Sequence, residues 1–290
     1  MSHSGPAGPR ARPRRDLRIT ALRTAFRAVG SVAPGVAARW AEELFCRPPR
    51  QVRREREEAF LATGRPFAVP HRGDELRAWE WGSGPAVILV HGWGSRAGRW
   101  ATLAPSLLAQ GLRVITYDAP AHGTSPGRIA SLPEFAAALS AVAGRAGPVH
   151  AVVGHSLGAA AIALALGDGL AAGRAVLIAS PANPESFADR FAEALAIPAP
   201  VREAMQRNLE ARLRIQWRDL HIPTLAARLA TPALVIHDEQ DADVPVSDAS
   251  AISGAWPGAR LLLTRGLGHR SIIHDPAVVA AATDFVSAPR

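Results

Sequence analysis

Residues 149–166 read VHAVVGHSLGAAAIALAL, a short apolar run, then Gly154, His155, Ser156, Leu157 and Gly158, then a run of strong helix formers. The first five residues are rich in β-branched side chains, as a strand buried on both faces should be, and Ala159 to Leu166 has the composition of a helix. A serine on a tight turn between such a strand and helix presents its hydroxyl beyond the end of a sheet. Glycine two residues to either side removes side chains that would collide in the bend. A bare Gly-x-Ser-x-Gly string is common; the flanking strand and helix are what make Ser156 a candidate nucleophile.

Outward from this stretch, strand-like and helix-like runs alternate. On the N-terminal side lie PFAVP and ELRAWEW, expected to pair as an antiparallel hairpin turning at Gly73 and Asp74. They are followed by AVILV (Ala86 to Val90), a helix over Trp100 to Ala109, RVITY (Arg113 to Tyr117) and a helix after Ser131. On the C-terminal side come AVLIA (Ala175 to Ala179), ALVIH (Ala233 to His237), RLLLT (Arg260 to Thr264) and a last helix over Pro276 to Val286. Continuous apolar strands separated by helices predict an α/β fold, a mostly parallel twisted sheet with helices on both faces. The segment between AVLIA and ALVIH is too long for a bare connection.

The rest of the chain divides into a disordered Arg/Pro-rich tail at 1–15 and an N-terminal helical extension at 16–64, ahead of the main domain at 65–290. Asp16 is expected to cap a helix reaching Val29, with Leu17, Leu22, Phe26 and Val29 on one stripe. A second helix follows Pro34 and ends before Pro48, and a charged third one ends at Gly64.

Of the net charge of +8, residues 1–60 supply +7, with 13 Arg against 6 acids, and there is no lysine anywhere. So local an excess, made of arginine alone, reads as a composition bias, and no nucleic-acid partner is expected. The basic amphipathic helices allow peripheral contact with an anionic membrane; the competing expectation is that they pack on the body of the protein or on a second copy. A single cysteine, Cys46, excludes an intramolecular disulfide. The Arg14–Arg15 pair precedes no apolar export region, so a cytoplasmic location is expected. Histidines are not spaced with Cys or carboxylates as metal ligands, and no Walker lysine follows the glycines, so neither metal nor other cofactor is expected.

Four further loops carry a resemblance to the α/β-hydrolase family, over Arg65 to the C-terminus. His91-Gly92-Trp93-Gly94 follows AVILV, where family members place one oxyanion donor, here the Trp93 N–H; the other would be the N–H of Leu157. Asp118 to Ser125 is similar to the loop after the next strand, with Ala121 where many members have glycine, and Asp118 and His122 would brace it. His237 to Pro245 resembles the loop whose aspartate lies three residues before a Val-Pro pair, which selects Asp241 over the competing Asp243; Asp238 stands where glycine is usual. Gly266-Leu267-Gly268-His269 selects His269 as general base, with His274 the competitor. The order Ser156, Asp241, His269 is the family's order.

The resemblance implies a small helical cap at about 181–230, where family members insert one, and a serine hydrolase that cleaves a carboxylic ester, or a related acyl bond, of a small to medium small-molecule acyl substrate through an acyl-enzyme. Thioester, amide or carbon–carbon hydrolysis, acyl transfer, perhydrolysis and a non-catalytic binding protein use the same scaffold. His91, Gly92 and His155 near the serine, and Phe187, Phe191, Met205 and Trp217 of the cap, are the expected substrate-facing residues, with the cap's own core as the alternative for the last four.

Overall fold

The apolar runs become strands of one sheet. In the computed structural model, which describes residues 17–49, 52 and 54–289, β1 (Arg65–His71) and β2 (Asp74–Trp81) form a hairpin. The turn residues are Arg72 and Gly73, at φ 50° and 87°, and Asp74 already pairs with His71. The turn therefore lies one residue earlier than expected, because a two-residue hairpin with both φ positive twists with its strands.

The sheet continues with β3 (Ala86–Val90), α4 (Leu103–Ala109), β4 (Arg113–Tyr117), α5 (Leu132–Ala146), β5 (Val149–His155), α6 (Leu157–Gly167) and β6 (Ala175–Ile178). Then come α7 (Pro184–Leu195), α8 (Ala199–Leu213), α9 (Ile222–Ala226), β7 (Ala233–Asp238), α10 (Val246–Ala255), β8 (Arg260–Thr264), α11 (Gly268–Ser271) and α12 (Pro276–Ser287). The strand order is β1-β2-β4-β3-β5-β6-β7-β8, antiparallel up to β4 and parallel beyond it. The helix expected from Trp100 starts only at Leu103, after a short 3-10 turn over Ala97–Trp100.

Successive strand side chains enter two cores. Ile88, Val152 and Val235 pack with α5 and α6 on one face, whereas Leu89, Val153 and Leu234 pack with α4 and α12 on the other. A strand covered on both faces must be apolar at every position, which is why these read as unbroken runs. Every residue from Gly158 to Leu166 is buried, so α6 is apolar all round rather than striped.

The chain reverses direction along the sheet at β3, between β4 and β5. Loops leaving β3 and β5 at their carboxyl ends flank a crevice, the place where open α/β sheets bind ligands. The insertion from α7 to α9 follows β6 at that same end.

Upstream, α1 (Leu17–Val32), α2 (Pro34–Phe45) and α3 (Glu55–Ala62) precede the sheet. Residues 1–15 and the Asp16 cap lie outside the described residues. Ala37, Ala38 and Ala41 bury α2 along α8, and Phe26 of α1 stacks on Trp40 with ring centroids 4.1 Å apart. Leu17, Ile19, Val32 and Val36 face solvent. No helix among the described residues is long and apolar enough to cross a membrane.

Candidate active site

Ser156 joins β5 to α6 at φ 53° and ψ −124°, a conformation that side-chain-bearing residues adopt at a cost of about 1–3 kcal/mol. Its N–H donates to Ile178 O at 2.9 Å, and its carbonyl accepts from Ala159 and Ala160 at the start of α6. The two glycines are required by close approach. A Cβ on Gly154 would lie 2.7 Å from the Ala159 nitrogen, and one on Gly158 would lie 2.4 Å from the carbonyl oxygens of Val90 and His91. The start of α6 at Gly154, and the end of β3 at Gly158, thus leave no room for a methyl group.

The Ser156 hydroxyl lies 2.9 Å from His269 Nε2, and His269 Nδ1 lies 2.8 Å from Asp241 Oδ2. Three residues from separate loops form one hydrogen-bonded chain. Asp241 is fixed by its other oxygen, which accepts from the N–H groups of Asp243 at 2.8 Å and Val244 at 2.9 Å. Burial raises its pKa, but the hydrogen bond from His269 and the amides of Val244 and Asp243 outweigh it and hold the carboxyl below its usual range. His237, fully buried, lies 3.6 Å from the same carboxylate and donates from Nε2 to Val244 O at 3.0 Å.

The loop that carries His269 hangs on Asp238. This carboxylate is fully buried at the end of β7. Its Oδ1 accepts from the Gln240 and Gly268 amides at 3.0 and 3.1 Å, and its Oδ2 from Thr264 Oγ1 and the Leu267 amide at 2.9 and 3.0 Å. Burial alone would raise its pKa; these four donors reverse the shift. One side chain thereby ties the Asp241 loop to the His269 loop.

Around the β3 loop, His91 Nδ1 donates to Gly92 O and its Nε2 accepts from the Ala119 amide, while His122 Nδ1 donates to Pro120 O and its Nε2 accepts from the Gly94 amide. Each ring needs one bare nitrogen for this pattern. Burial pushes His91 down to about 4; burial and then the neighbouring His91 push His122 down to about 3. Asp118 completes the brace by accepting from Ala97 N and Thr124 N, each at 2.8 Å. Leu157 opens α6, so its N–H belongs to the first-turn amides that lack an intrahelical acceptor.

Two cavities meet at Ser156. One, of about 320 Å³, is lined by Trp93, Ser156 and Leu157, by Phe187, Phe191 and Trp217 of the insertion, and by Leu44, Phe45 and Cys46 at the end of α2. The other, of about 410 Å³, includes Gly92, His155, His269 and several arginines.

A sequence profile described as the alpha/beta hydrolase family matches residues 87–282, about two thirds of the chain. The chain belongs to the alpha/beta hydrolase family. It is 27% identical over 244 residues to a pimeloyl-acyl-carrier-protein methyl ester esterase of Nitrosomonas europaea, covering 70% of this chain and 96% of that protein. It is 34% identical over 101 residues to a non-heme haloperoxidase of Rhodococcus erythropolis, a match that spans only 37% of the haloperoxidase and 34% of this chain. Among solved structures, an esterase of Pyrococcus furiosus superposes with a TM-score of 0.64 at 19% identity, covering 83% of this chain and 98% of the other, a likeness of fold.

Within this alpha/beta hydrolase, the structure brings Ser156, Asp241 and His269 together and leaves both competitors aside. Asp243 has its carboxylate 4.0 Å from Arg270 Nε, and His274 Nδ1 lies 3.0 Å from Thr102 Oγ1. Two expected substrate-facing residues are placed elsewhere. Met205 is fully buried in the helical core and does not line either cavity, because an interior turn of α8 packs against other helices rather than over the sheet. His91 lines neither cavity, and both its ring nitrogens are engaged by backbone. His155 does border the second cavity while its Nε2 donates to His269 O at 2.8 Å; burial, then the neighbouring His269, pushes it down to about 3.

Sequence reasoning missed the Asp238 clamp, although a carboxylate where the family has glycine was its visible signal. It also missed the α2 wall of the apolar cavity, for which a local pattern carries no signal.

Proposed function

We propose that the chain is a serine hydrolase cleaving carboxylic esters through an acyl-enzyme on Ser156. The observation that carries this reading is the hydrogen-bonded chain from the Ser156 hydroxyl through His269 to Asp241. A neutral hydroxyl is a poor nucleophile unless a base takes its proton as it attacks. His269 Nε2 is within reach to do so, and Asp241 holds the imidazole with Nδ1–H toward the carboxylate and stabilises the imidazolium that forms.

As the Ser156 oxygen bonds to the ester carbon, charge develops on the carbonyl oxygen. The Leu157 and Trp93 amides are the proposed donors to it, each worth about 3 kcal/mol of barrier. His269 then gives its proton to the departing alkoxide; in the second half it takes a proton from water as the water oxygen bonds to the acyl carbon, and returns it to the Ser156 oxygen as that C–O bond breaks and the acid leaves. The apolar cavity walled by Phe45, Phe187, Phe191 and Trp217 suits the acyl chain. Relatives named as esterases support the same reaction class.

A fluorophosphonate probe tests this directly. The expected result is one covalent adduct on Ser156, absent in Ser156→Ala, together with turnover of p-nitrophenyl esters that disappears in that variant. A folded wild-type protein that takes no label, or a Ser156→Ala variant that keeps most of its turnover, would overturn the reading.

A further inference from the structure

The second cavity at Ser156 differs in chemistry from the apolar one. Arg54 before α3, Arg99 in the 3-10 turn after β3, Arg190 on α7 and Arg270 beside His269 all line it, and Asp243 is the one carboxylate among its described lining residues. Four arginines from separate segments line one space of about 410 Å³ whose wall also includes Ser156 and His269.

Asp243 does not balance them. It lies 4.0 Å from Arg270 Nε with both side chains more than half exposed, an ion pair of little strength. Arg99 donates to the backbone oxygen of Arg270 at 2.9 Å, and Arg190 sits 4.4 Å from the centre of the Phe187 ring; neither contact neutralises charge. Burial first, then the like charge of Arg54, lowers the Arg99 pKa, with Arg270 adding to the effect against Glu57. Like charges held together beside a nucleophile raise the affinity of that space for an anion.

We propose that this cavity receives the leaving group, and that the substrate is an acyl ester of a short alcohol bearing a phosphate. The inference rests on Ser156 as the acylated nucleophile. The division of labour follows from the geometry, with the acyl chain in the apolar cavity and the alcohol among the arginines. A monocarboxylate would be satisfied by one bidentate arginine, whereas four lining arginines against one weakly paired carboxylate match a phosphate dianion and its three acceptor oxygens. The alcohol is short because the arginines border the same space as the serine. In the reaction the ester C–O bond breaks, His269 returns its proton to the alcohol oxygen, and the phosphate leaves intact on the alcohol.

The test compares 4-(hexanoyloxy)phenyl phosphate with 4-methoxyphenyl hexanoate, which share the acyl group and differ chiefly in the dianion. Expected is a kcat/KM at least about tenfold higher for the phosphate at low salt, shrinking toward parity in concentrated NaCl as screening removes the attraction. The Arg190→Gln/Arg270→Gln double variant should lower that ratio at least about fivefold, since exposed guanidinium groups act here through charge. In parallel, Ser156→Ala titrated with both esters by tryptophan fluorescence reads binding without turnover, and should favour the phosphate by a similar factor. Equal kcat/KM or a preference for the neutral ester, with Ser156 still labelled, overturns this inference and leaves the hydrolase reading intact. If neither ester turns over and Ser156 takes no fluorophosphonate, the hydrolase reading fails; equal affinities in Ser156→Ala overturn the arginine cavity on their own.

Discussion

Replacing Asp238 with asparagine exchanges one carboxylate oxygen for an NH2 group and removes the charge at a position that never touches the serine. Each carboxylate oxygen accepts two donors, so an amide keeps one pair and turns its NH2 toward the other. The least costly orientation places the NH2 at the Oδ2 site, where the Thr264 hydroxyl can rotate to accept, leaving the Leu267 amide facing a donor. One charge-assisted bond lost outright, with the remaining ones weakened by loss of charge in a fully buried site, amounts to about 3 kcal/mol; Asp238→Ala, which strands all four donors, should cost roughly 5 kcal/mol. Leu267 and Gly268 immediately precede His269, so the same change loosens the base. Urea denaturation reads the stability, and the rate of fluorophosphonate labelling reads the serine–histidine geometry. We expect Asp238→Asn to lower both, while Asp243→Asn, on the exposed rim, lowers neither by much. If Asp238→Asn unfolds within 0.5 kcal/mol of wild type (about the scatter of an ordinary surface substitution) and is labelled at the wild-type rate, the clamp argument is wrong.

Two further outcomes follow from other parts of the site. His91, His122 and His155 are held neutral at about 4, 3 and 3, below the ~6.5 of an unfolded chain, so their contribution is complete above that pH and declines as pH falls from it toward 4. Urea midpoints measured across that window should therefore drop steadily, and a midpoint constant down to pH 4 would refute the neutral brace. Gly158→Ala places a methyl 2.4 Å from two carbonyl oxygens of the β3 loop and should destabilise by at least about 1–3 kcal/mol while slowing labelling of Ser156; a neutral thermal shift would mean that the elbow has room to spare.

The sequence by itself determined what depends on residues close together along the chain. The unbroken apolar runs of β3, β5 and β7 announced strands covered on both faces, and Gly154-His155-Ser156-Leu157-Gly158 announced a turn whose spacing permits one backbone path. The loops of Asp241 and His269 were legible through their resemblance to the family's loops, which rests on short local motifs at strand ends. Tertiary structure alone decided the rest. That α2 walls the apolar cavity, that Met205 sinks into a helical core four residues from the cavity-lining Leu209, and that four arginines spread from Arg54 to Arg270 face one space all depend on rigid-body packing between distant elements. Periodicity states which side of a helix is buried but not what lies against it. Asp238 sits at the boundary between the two, since its presence was written in the chain, but its purpose is defined by donors on a loop some thirty residues away, brought within 3.1 Å only by the pairing of β7 with β8.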